Sequence, residues 1–557
     1  MSPTERRAKY ISDVLGGAKL CSKWERQAVQ RHVSGLSKAW RWKFDDDRAD
    51  RFCNFIELFC HYKGEWASGD KTRDERLIRL EPWQCFVFGA LFGWVDKVTS
   101  KRRYNKGRLY VPRKNGKSIG GAGVGLYMLA ADDEPGAEVY CGATSERQAN
   151  EVFVPAKQMA AENSEFREFF GVLVNAQSIV LDGSSAKLER IIGKPGDGSS
   201  PHCAIIDEYH EHATNVTVSA METGMGARSQ PLSFVISTAG VDIGSPCFED
   251  WQTCEKILAG EIEAERTFCI IYAAEKTDAW DSIEALQKAN PNYGVSVSIE
   301  FLKNELESAR HSPARRAAYE TKHLNRWVQT GAGFMNMADW DKCAGTFDRR
   351  ADHIGRRAWA GVDLAAKVDI ASVRYLIELD DGTYATWGRN YLHAEAIARI
   401  ENEHYRRFVA AGSLTECPGN STDFEMILED ISADANCFDL QEIGCDPSQA
   451  GMFMKRLEAE GFSVVEFPQG AKHMNEPMRT LESDVASGKL IHDDCPMMNW
   501  MVANVTVKSL GKYIYPQRSS KSGKIDGFVS LVMARGLSGQ DAQEVGHKSI
   551  FERGGLG

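Results

Sequence analysis

The sequence lacks any apolar run of the roughly 18 residues that a membrane-spanning helix needs. Residues 1–7 are polar and are not followed by an apolar segment of the length found in signal peptides. These absences argue against integral membrane proteins and secreted precursors. We therefore expect a protein that remains inside the cell and has no membrane partner.

Paired cysteines and excess positive charge are also missing. The 14 cysteines form no Cys-x-x-Cys pair, which argues against a zinc ribbon and favours buried, reduced thiols. The formal net charge is −11, so contact with nucleic acid would have to be confined to a local basic groove. Histidines gather only at His202, His210 and His212, where a metal site is one interpretation and polar flanks of a catalytic strand are the simpler one.

Length, by contrast, is ample, since 557 residues predict two or three domains. Changes of pattern divide the chain into a helical lead-in at 1–70, a first domain at 71–275, a connector at 276–345, a second domain at 346–536 and a flexible tail at 537–557.

The first domain alternates apolar strands with helical stretches. The strands are predicted at 108–112, 137–142, 203–207 and 232–237. Buried strands interleaved with helices indicate a mainly parallel sheet covered on both faces, as in α/β proteins.

The second domain begins with a different pattern. A strand at 359–364 precedes a half-exposed strand at 371–379, the turn Asp380-Asp381-Gly382 and a returning strand at 383–387. Three antiparallel strands followed by strand–helix units are the skeleton of a ribonuclease-H-like fold.

The most informative segment is Val111–Ser118, which reads Val-Pro-Arg-Lys-Asn-Gly-Lys-Ser between a predicted strand and a glycine-rich helix. It resembles a phosphate-binding loop (P-loop) without the usual first glycine. Backbone N–H groups from Asn115 and Gly116 onward would hold phosphates, Lys117 would contact the β- and γ-phosphates, and Ser118 would bind magnesium. The tripeptide Gly-Lys-Ser is common by chance, so its context carries the prediction.

A second part of the same site is predicted where the strand 203–207 ends. Asp207 can hold magnesium through water, and Glu208 can orient and deprotonate an attacking water. An exposed acidic pair at a strand end is the alternative. Arg113 and Arg228 are candidates for the arginine that stabilises charge on the γ-phosphoryl group, although a surface position is the default for Arg228.

Trp83 and Gln84 precede the loop in sequence. They could stack on and hydrogen-bond an adenine, or they could belong to the core, and the residues alone leave both interpretations open.

Three aspartates of the second domain predict a nuclease site. Asp363 ends its first strand, Asp446 ends a later strand, and Asp526 opens an apolar helix. Two-metal cleavage of a phosphodiester needs carboxylates from separate elements to hold ions about 4 Å apart. Each aspartate alone is more often a strand end or a helix cap. Asp369 is a weaker fourth candidate.

Together these motifs resemble the large subunit of tailed-bacteriophage terminases of the HK97 type. The matching segments run in the family's order: Leu80–Gln84, Pro112–Ser118, Ala143–Ser145, Ile206–Glu208, Ser237–Gly240, Ala289–Asn292, Lys322–Trp327, Gly361–Leu364, Gln469-Gly470, Ala503-Asn504 and Lys524–Gly527.

The resemblance implies an N-terminal P-loop ATPase that pumps double-stranded DNA into a procapsid and a C-terminal nuclease that cuts concatemers. It also implies site roles: adenine contact for Trp83 and Gln84, γ-phosphate sensing for Arg113, coupling of hydrolysis to motion for Ser237 and Thr238, and metal binding for Asp363, Asp446 and Asp526.

The implied cofactors are ATP and Mg²⁺, with Mn²⁺ as an alternative in the nuclease site. The implied partners are double-stranded DNA, a small terminase subunit, the portal protein of the procapsid and further copies of the chain in a docked ring. The implied location is the host cytoplasm rather than the mature virion.

Two other functions share some of these features. An ATP-dependent helicase–nuclease of DNA repair or recombination would use both sites, but the chain lacks the later arginine-rich helicase motif. A non-catalytic assembly protein would carry the same acidic residues in structural roles. Forked-duplex unwinding, ATP turnover and metal-dependent cutting distinguish the three.

Overall fold

The computed structural model describes residues 1–547 except 194, 195, 197, 312, 329–332, 365–369, 400–402, 512 and 520–522. The chain divides into two compact units, Met1–Gln329 (unit 1) and Thr330–Gly557 (unit 2). The residues predicted as a connector, 276–345, fall on both sides of this division. Within the described ranges, no helix combines the length and apolar composition that a bilayer crossing requires.

The helices of unit 1 are α1 (Pro3–Gly16), α2 (Lys23–Ser37), α3 (Asp46–Ile56), α4 (Arg73–Arg76), α5 (Pro82–Gly93), α6 (Lys117–Ala130), α7 (Glu146–Glu162), α8 (Ser164–Phe170), α9 (Val216–Gly224), α10 (Pro246–Ala259), α11 (Ile283–Ala289), α12 (Ile299–Arg310) and α13 (Pro313–His323). Its strands are β1 (Trp42–Phe44), β2 (Trp94–Asp96), β3 (Lys106–Tyr110), β4 (Glu138–Ala143), β5 (Val172–Val174), β6 (Ser178–Leu181), β7 (Lys187–Ile192), β8 (Cys203–Asp207), β9 (Leu232–Ser237) and β10 (Thr267–Ile271).

The main sheet of unit 1 has the strand order β10-β3-β9-β8-β4-β7-β6-β5. The strands from β10 to β7 are parallel, and β6 and β5 add an antiparallel edge. The predicted mainly parallel sheet is therefore confirmed. The bounds of β8 and β9 are those expected from the sequence, because each apolar run stops at a polar residue.

Glycines in α6 allow this helix to approach its neighbours closely. A Cβ atom at Gly120 would lie 2.7 Å from the ring of Phe88, and one at Gly123 would lie 2.6 Å from Ile56. On the sheet side, a Cβ atom at Gly125 would lie 2.9 Å from Leu188. The helix that follows the phosphate loop is thus held at a fixed depth against α3, α5 and the sheet.

The helices of unit 2 are α14 (Met337–Lys342), α15 (Ala394–Ala398), α16 (Glu403–Ala410), α17 (Phe424–Ala435), α18 (Pro447–Ala459), α19 (Ala471–Ala486), α20 (Pro496–Ala503) and α21 (Asp526–His547). Its strands are β11 (Arg357–Asp363), β12 (Ala371–Glu378), β13 (Tyr384–His393), β14 (Thr415–Cys417), β15 (Asp439–Cys445), β16 (Val464–Glu466), β17 (Leu490–His492), β18 (Val505–Leu510) and β19 (Tyr513–Arg518).

The main sheet of unit 2 has the order β14-β13-β12-β11-β15-β16, with β17 beside β13. Strands β11, β12 and β13 are antiparallel, and β15 and β16 continue the sheet in parallel with β11, as expected for the ribonuclease-H-like skeleton.

Two expectations for unit 2 need correction. Strand β12 is buried on both faces from Ala371 to Ile377 rather than half exposed, because α17 covers one face and α21 the other. Helix α21 continues through His547 and buries Leu537, so the tail predicted from residue 537 begins as a helix.

Candidate functional site

Three neighbouring strand ends of unit 1 form the first candidate site. Strands β3, β9 and β8 are adjacent and parallel, so their carboxyl ends lie at one edge of the sheet. The loop 111–116 follows β3, Ser237 and Thr238 end β9, and Asp207 and Glu208 end β8. The fold therefore brings the predicted loop, coupling pair and acidic pair together.

The phosphate loop is braced from behind by a cluster of asparagines. The Asn115 side chain is fully buried, donates from Nδ2 to the carbonyl of Pro112 (3.3 Å) and to Oδ1 of Asn290 (3.0 Å), and accepts from the backbone N–H of Asn292 (3.0 Å). Gly116, at φ +79°, occupies the left-handed region that admits glycine most readily. The side chain of Asn115, a residue predicted to bind nucleotide, thus uses its hydrogen bonds to hold the conformation of the loop.

Lys117 begins α6 and points toward the acidic pair. The residue is 7% exposed, and its Nζ lies 3.3 Å from Oε1 of Glu208. Among the described residues, this ammonium makes no hydrogen bond. A buried ammonium that lies beside one carboxylate and makes no short hydrogen bond can still take an anionic ligand such as a phosphate, and Ser118 follows it in the first turn of the helix.

The two carboxylates differ in electrostatic environment. Burial, followed by the neighbouring charge of Glu208, raises the pKa of Asp207 to about 7. Burial also acts to raise the pKa of Glu208, but the Lys117 ammonium and then His210 outweigh it, so this pKa is lowered. Glu208 has φ +50° and ψ +48°, which turns its side chain back over the strand ends.

Trp83 belongs to the core, so the structure favours the second interpretation of this residue. It is 3% exposed, and its indole Nε1 donates to Oδ1 of Asn292 (2.6 Å). Gln84 lies against the loop, because its Nε2 is 3.2 Å from the position that a Cβ atom would take at Gly116. Trp83 therefore supports the asparagine cluster, and Gln84 contacts the phosphate loop at Gly116.

The two arginine candidates lie at opposite ends of the strands of the main sheet. Arg113 lies in the loop, where its charge contributes to lowering the pKa of Glu208. Arg228 lies at the amino ends of the strands, where it donates to the carbonyls of Ser200 and Gly136 and to Glu134. Arg228 therefore does not share the sheet edge of its own phosphate loop, which follows the carboxyl end of β3.

The histidine cluster of the sequence also divides. His202 lies immediately before β8, at the amino ends of the strands, and its Nε2 is 2.8 Å from Oδ2 of Asp132. His210 lies at the carboxyl ends, against Ser237 and Thr238. Neither these histidines nor any other group of three His, Cys, Asp or Glu side chains within the described ranges is arranged to hold a metal ion.

The second candidate site lies in unit 2, at the carboxyl ends of β11 and β15. Val362 pairs with Cys445 in parallel register, so Asp363 and Asp446 follow a matched pair. Burial, with the nearby Asp363 carboxylate second, raises the pKa of the Cys445 thiol to about 12, which agrees with this proximity. Gln469 donates from Nε2 to Oδ1 of Asp363 (2.9 Å).

Helix α21 brings Asp526 toward the same strand ends. A Cβ atom at Gly361 would overlap the carbonyl oxygen of Ser530, so the helix backbone rests directly on β11. Ser530 also donates from Oγ to the carbonyl of Ser372, the residue opposite Asp363. Asp526 lies one turn before Ser530, and Arg518 Nη2 is 3.8 Å from its Oδ1. Asp369 lies outside the described residues.

The aspartates supply the donors that a hard divalent cation prefers. Carboxylate oxygens are ligands that Mg²⁺ and Mn²⁺ prefer, so Asp363, Asp446 and Asp526 fit such an ion by their chemistry. In the described structure, the three carboxylates do not surround a single metal position. Asn290, Asn292 and Gln469 were not predicted as site residues, and His210 was considered only as a member of a possible metal cluster. Two of the quoted motifs contained Asn290, Asn292 and Gln469, but only the fold shows what they contact.

Comparisons with known proteins agree with the two-part site. A family model described as "Terminase large subunit, ATPase domain" matches residues 82–256, and one described as "Terminase large subunit, endonuclease domain" matches residues 261–540. Protein YmfN of Escherichia coli (strain K12) is 34% identical over 363 residues, 63% of this chain and 80% of the relative.

Two further matches come from a single bacteriophage. The terminase large subunit of Enterobacteria phage HK97 is 26% identical over 513 residues, 90% of this chain and 97% of the relative. The crystal structure of the HK97 large terminase covers 88% of this chain and 99% of its own, at 26% identity and a TM-score of 0.49.

Proposed function

The chain belongs to the terminase large-subunit family, and from this membership we propose how its residues divide the work of a DNA-packaging motor. The protein is an enzyme with ATPase and endonuclease activities, and it uses a nucleotide and a divalent metal ion. The observation that carries the assignment of residues is the meeting of the loop, the acidic pair and the Ser237–Thr238 pair at one sheet edge.

In the ATPase half, we assign phosphate binding to the loop backbone at Asn115 and Gly116 and to Lys117. Glu208 is the general base that orients and deprotonates water, since its lowered pKa keeps it ionised. Arg113 stabilises charge that accumulates on the γ-phosphoryl group. Ser118 and Asp207 would hold Mg²⁺, which when bound neutralises phosphate charge.

Adenine recognition is assigned to Gln84, with Trp83 acting from the core. Ser237 and Thr238 transmit hydrolysis to the movement of DNA, because they lie between the loop and the acidic pair. A motor must bind DNA of any sequence, so phosphate contacts should dominate and salt should weaken binding steeply.

In the nuclease half, Asp363, Asp446 and Asp526 would hold Mg²⁺ or Mn²⁺, which when bound activates water and stabilises the leaving oxygen. Gln469 orients the Asp363 carboxylate through its 2.9 Å hydrogen bond. The backbone contact between Gly361 and Ser530 sets the depth at which Asp526 approaches β11.

Double-stranded DNA and packaging partners follow from the family in general. We propose, more specifically, a small terminase subunit, the portal protein and a homo-oligomeric ring on the procapsid, all in the host cytoplasm. A sedimentation or mass-photometry experiment with purified portal and small subunit tests these partners, and the absence of any complex would contradict them.

The assignment is tested by the two activities in the full chain. Lys117→Ala should abolish ATP binding and DNA packaging while divalent-dependent cutting of DNA persists. If this variant hydrolyses ATP normally, the assignment of the loop is wrong. Unwinding of a forked duplex by the unmodified protein would instead support a helicase–nuclease, which the family membership does not favour.

A further inference from the structure

His210 is the side chain that joins the acidic pair to the end of β9. The 3-10 turn Tyr209–Glu211 follows the left-handed residue Glu208 and places the imidazole, 10% exposed, back over the sheet edge. Its backbone N–H donates to Oγ of Ser237 (3.1 Å). The turn after β8 and the end of β9 are therefore tied together through one residue.

One nitrogen of this ring faces three oxygen atoms. His210 Nδ1 lies 3.2 Å from Oε2 of Glu208, 3.2 Å from Oγ of Ser237 and 3.3 Å from Oγ1 of Thr238. On the far side, Nε2 lies 3.5 Å from Oε1 of Glu211. With its proton on Nδ1 the ring donates to Ser237, whereas with its proton on Nε2 it accepts from the Thr238 hydroxyl. The approach of Nδ1 to Oε2 of Glu208 is an ion-pair contact, and among the described residues this oxygen accepts no hydrogen bond.

The carboxylate of Glu208 is shared between two partners. Oε1 lies 3.3 Å from the Lys117 ammonium, and Oε2 lies against His210. A triphosphate in the loop would compete for Lys117, because a polyanion attracts a buried ammonium more strongly than one carboxylate does. Of its two partners, Lys117 and His210, the Glu208 carboxylate would then retain only His210.

We propose that His210 is a positioning residue: once nucleotide has engaged Lys117, its Nδ1 holds the Glu208 carboxylate in register with the Ser237–Thr238 pair. The inference rests on the proposed role of Glu208 as general base. In this arrangement a change at the carboxylate alters the hydrogen bonds available to Ser237 and Thr238. The imidazole thus links the hydrolytic and coupling residues without touching substrate.

The test compares two amides that differ in reach. Asparagine at position 210 places a side-chain nitrogen near the site of Nδ1, and glutamine places it near the site of Nε2. In the full chain with DNA, His210→Ala should lower kcat for ATP by about tenfold or more, since a displaced base loses part of its catalytic effect, while KM changes by less than about threefold. His210→Asn should recover much of the rate, and His210→Gln should not.

The turnover rates of these variants decide whether the inference holds. Equal rates for the asparagine and glutamine variants, or an unchanged kcat in His210→Ala, would overturn it. A KM for ATP within about threefold of the unmodified value shows that unit 1 of each variant still binds nucleotide, and the asparagine–glutamine comparison still applies if His210→Ala is unstable. In a Glu208→Gln background, His210→Ala should have no further effect on turnover. If Glu208→Gln alone retains full turnover, it is the assignment of the base that fails.

Discussion

The two candidate sites are assembled by different means. In unit 1, polar side chains hold one another: Glu208 lies between Lys117 and His210, and Asn115 is bound to the segment at Asn290–Asn292. In unit 2, strand register places Asp363 beside Asp446, and the backbone contact of α21 with β11 sets the position of Asp526.

Because of this difference, we expect ligand binding to change the geometry of the site in unit 1, and divalent ions to control the site in unit 2. Ligand binding in unit 1 must exchange existing partners, so it can alter the geometry of neighbouring groups. The aspartates proposed as metal ligands in unit 2 carry like charge, and bound cations would neutralise that charge. The nuclease should therefore respond to divalent ion concentration, and the ATPase to the identity of groups around Glu208.

The largest effect is expected for Glu208→Gln. Removing the base should lower ATP turnover by about a hundredfold or more while DNA cutting persists. Steady-state ATPase and nuclease assays on one preparation measure both. Glu146→Gln is the matched control, because Glu146 is an acid of unit 1 whose side chain is 65% exposed. Loss of both activities together would show that the two sites are not independent.

Asp363→Asn should reverse this pattern. We expect divalent-dependent cutting to fall by about a hundredfold with ATP turnover unchanged, since this carboxylate is one of the metal ligands that we propose for two-ion cleavage. Asp380→Asn, in an exposed hairpin turn, is the control. Normal cutting by Asp363→Asn would remove this residue from the site.

The ends of β8 and β9 were predictable, because each apolar run stops at a polar residue, whereas the strand predicted at 108–112 lies at Lys106–Tyr110 and β5, β6 and β7 were not predicted. The partners of the site residues were not predictable. The indole of Trp83 bonds Asn292, 209 positions away, and Asp363 bonds Gln469, 106 positions away. No local pattern encodes such pairs. Arg228 was a plausible candidate by residue type alone, and only the direction of the strands shows that it lies at the opposite end from the phosphate loop of its own chain.

A smaller effect is expected for Asn115→Ala. The change leaves the buried Asn292 N–H and Asn290 Oδ1 without this partner, at about 1–3 kcal/mol for each group. We expect the Kd for ATP to rise about tenfold as the loop loosens, with DNA cutting unaffected. Nucleotide titration measures this, with the exposed Asn175→Ala as control. An unchanged Kd would mean that the loop keeps its shape without the cluster.

Gln469→Ala tests whether unit 2 also relies on a side-chain partner. Loss of the bond to Asp363 should raise the divalent concentration for half-maximal cutting by about three- to tenfold, because the carboxylate is less well oriented. Lys472→Ala, exposed nearby on α19, serves as control. An effect as large as that of Asp363→Asn would make the contrast between the sites smaller than we propose.

The smallest effect concerns stability in acid. Burial acts to raise the pKa of Glu222, but Arg108 and then Lys106 lower it from 4.5 to about 2. A depressed pKa contributes stability above pH 4.5 that is lost as the pH falls toward 2, here about 3 kcal/mol at most. Glu222→Gln should flatten this part of the stability curve of unit 1 in calorimetry. An unaltered acid slope would show that other carboxylates dominate.

The contact between Gly361 and Ser530 has a consequence for the mutational tolerance of unit 2. Alanine, the smallest chiral replacement, already has no room at position 361, since its methyl group would coincide with a main-chain oxygen. Aliphatic side chains around Gly361 can repack when one of them changes in volume. The carbonyl oxygen of Ser530 cannot move aside in this way, because it belongs to the backbone of α21. A saturation library of this unit should therefore recover aliphatic replacements at Val362 and Val373 and only glycine at 361.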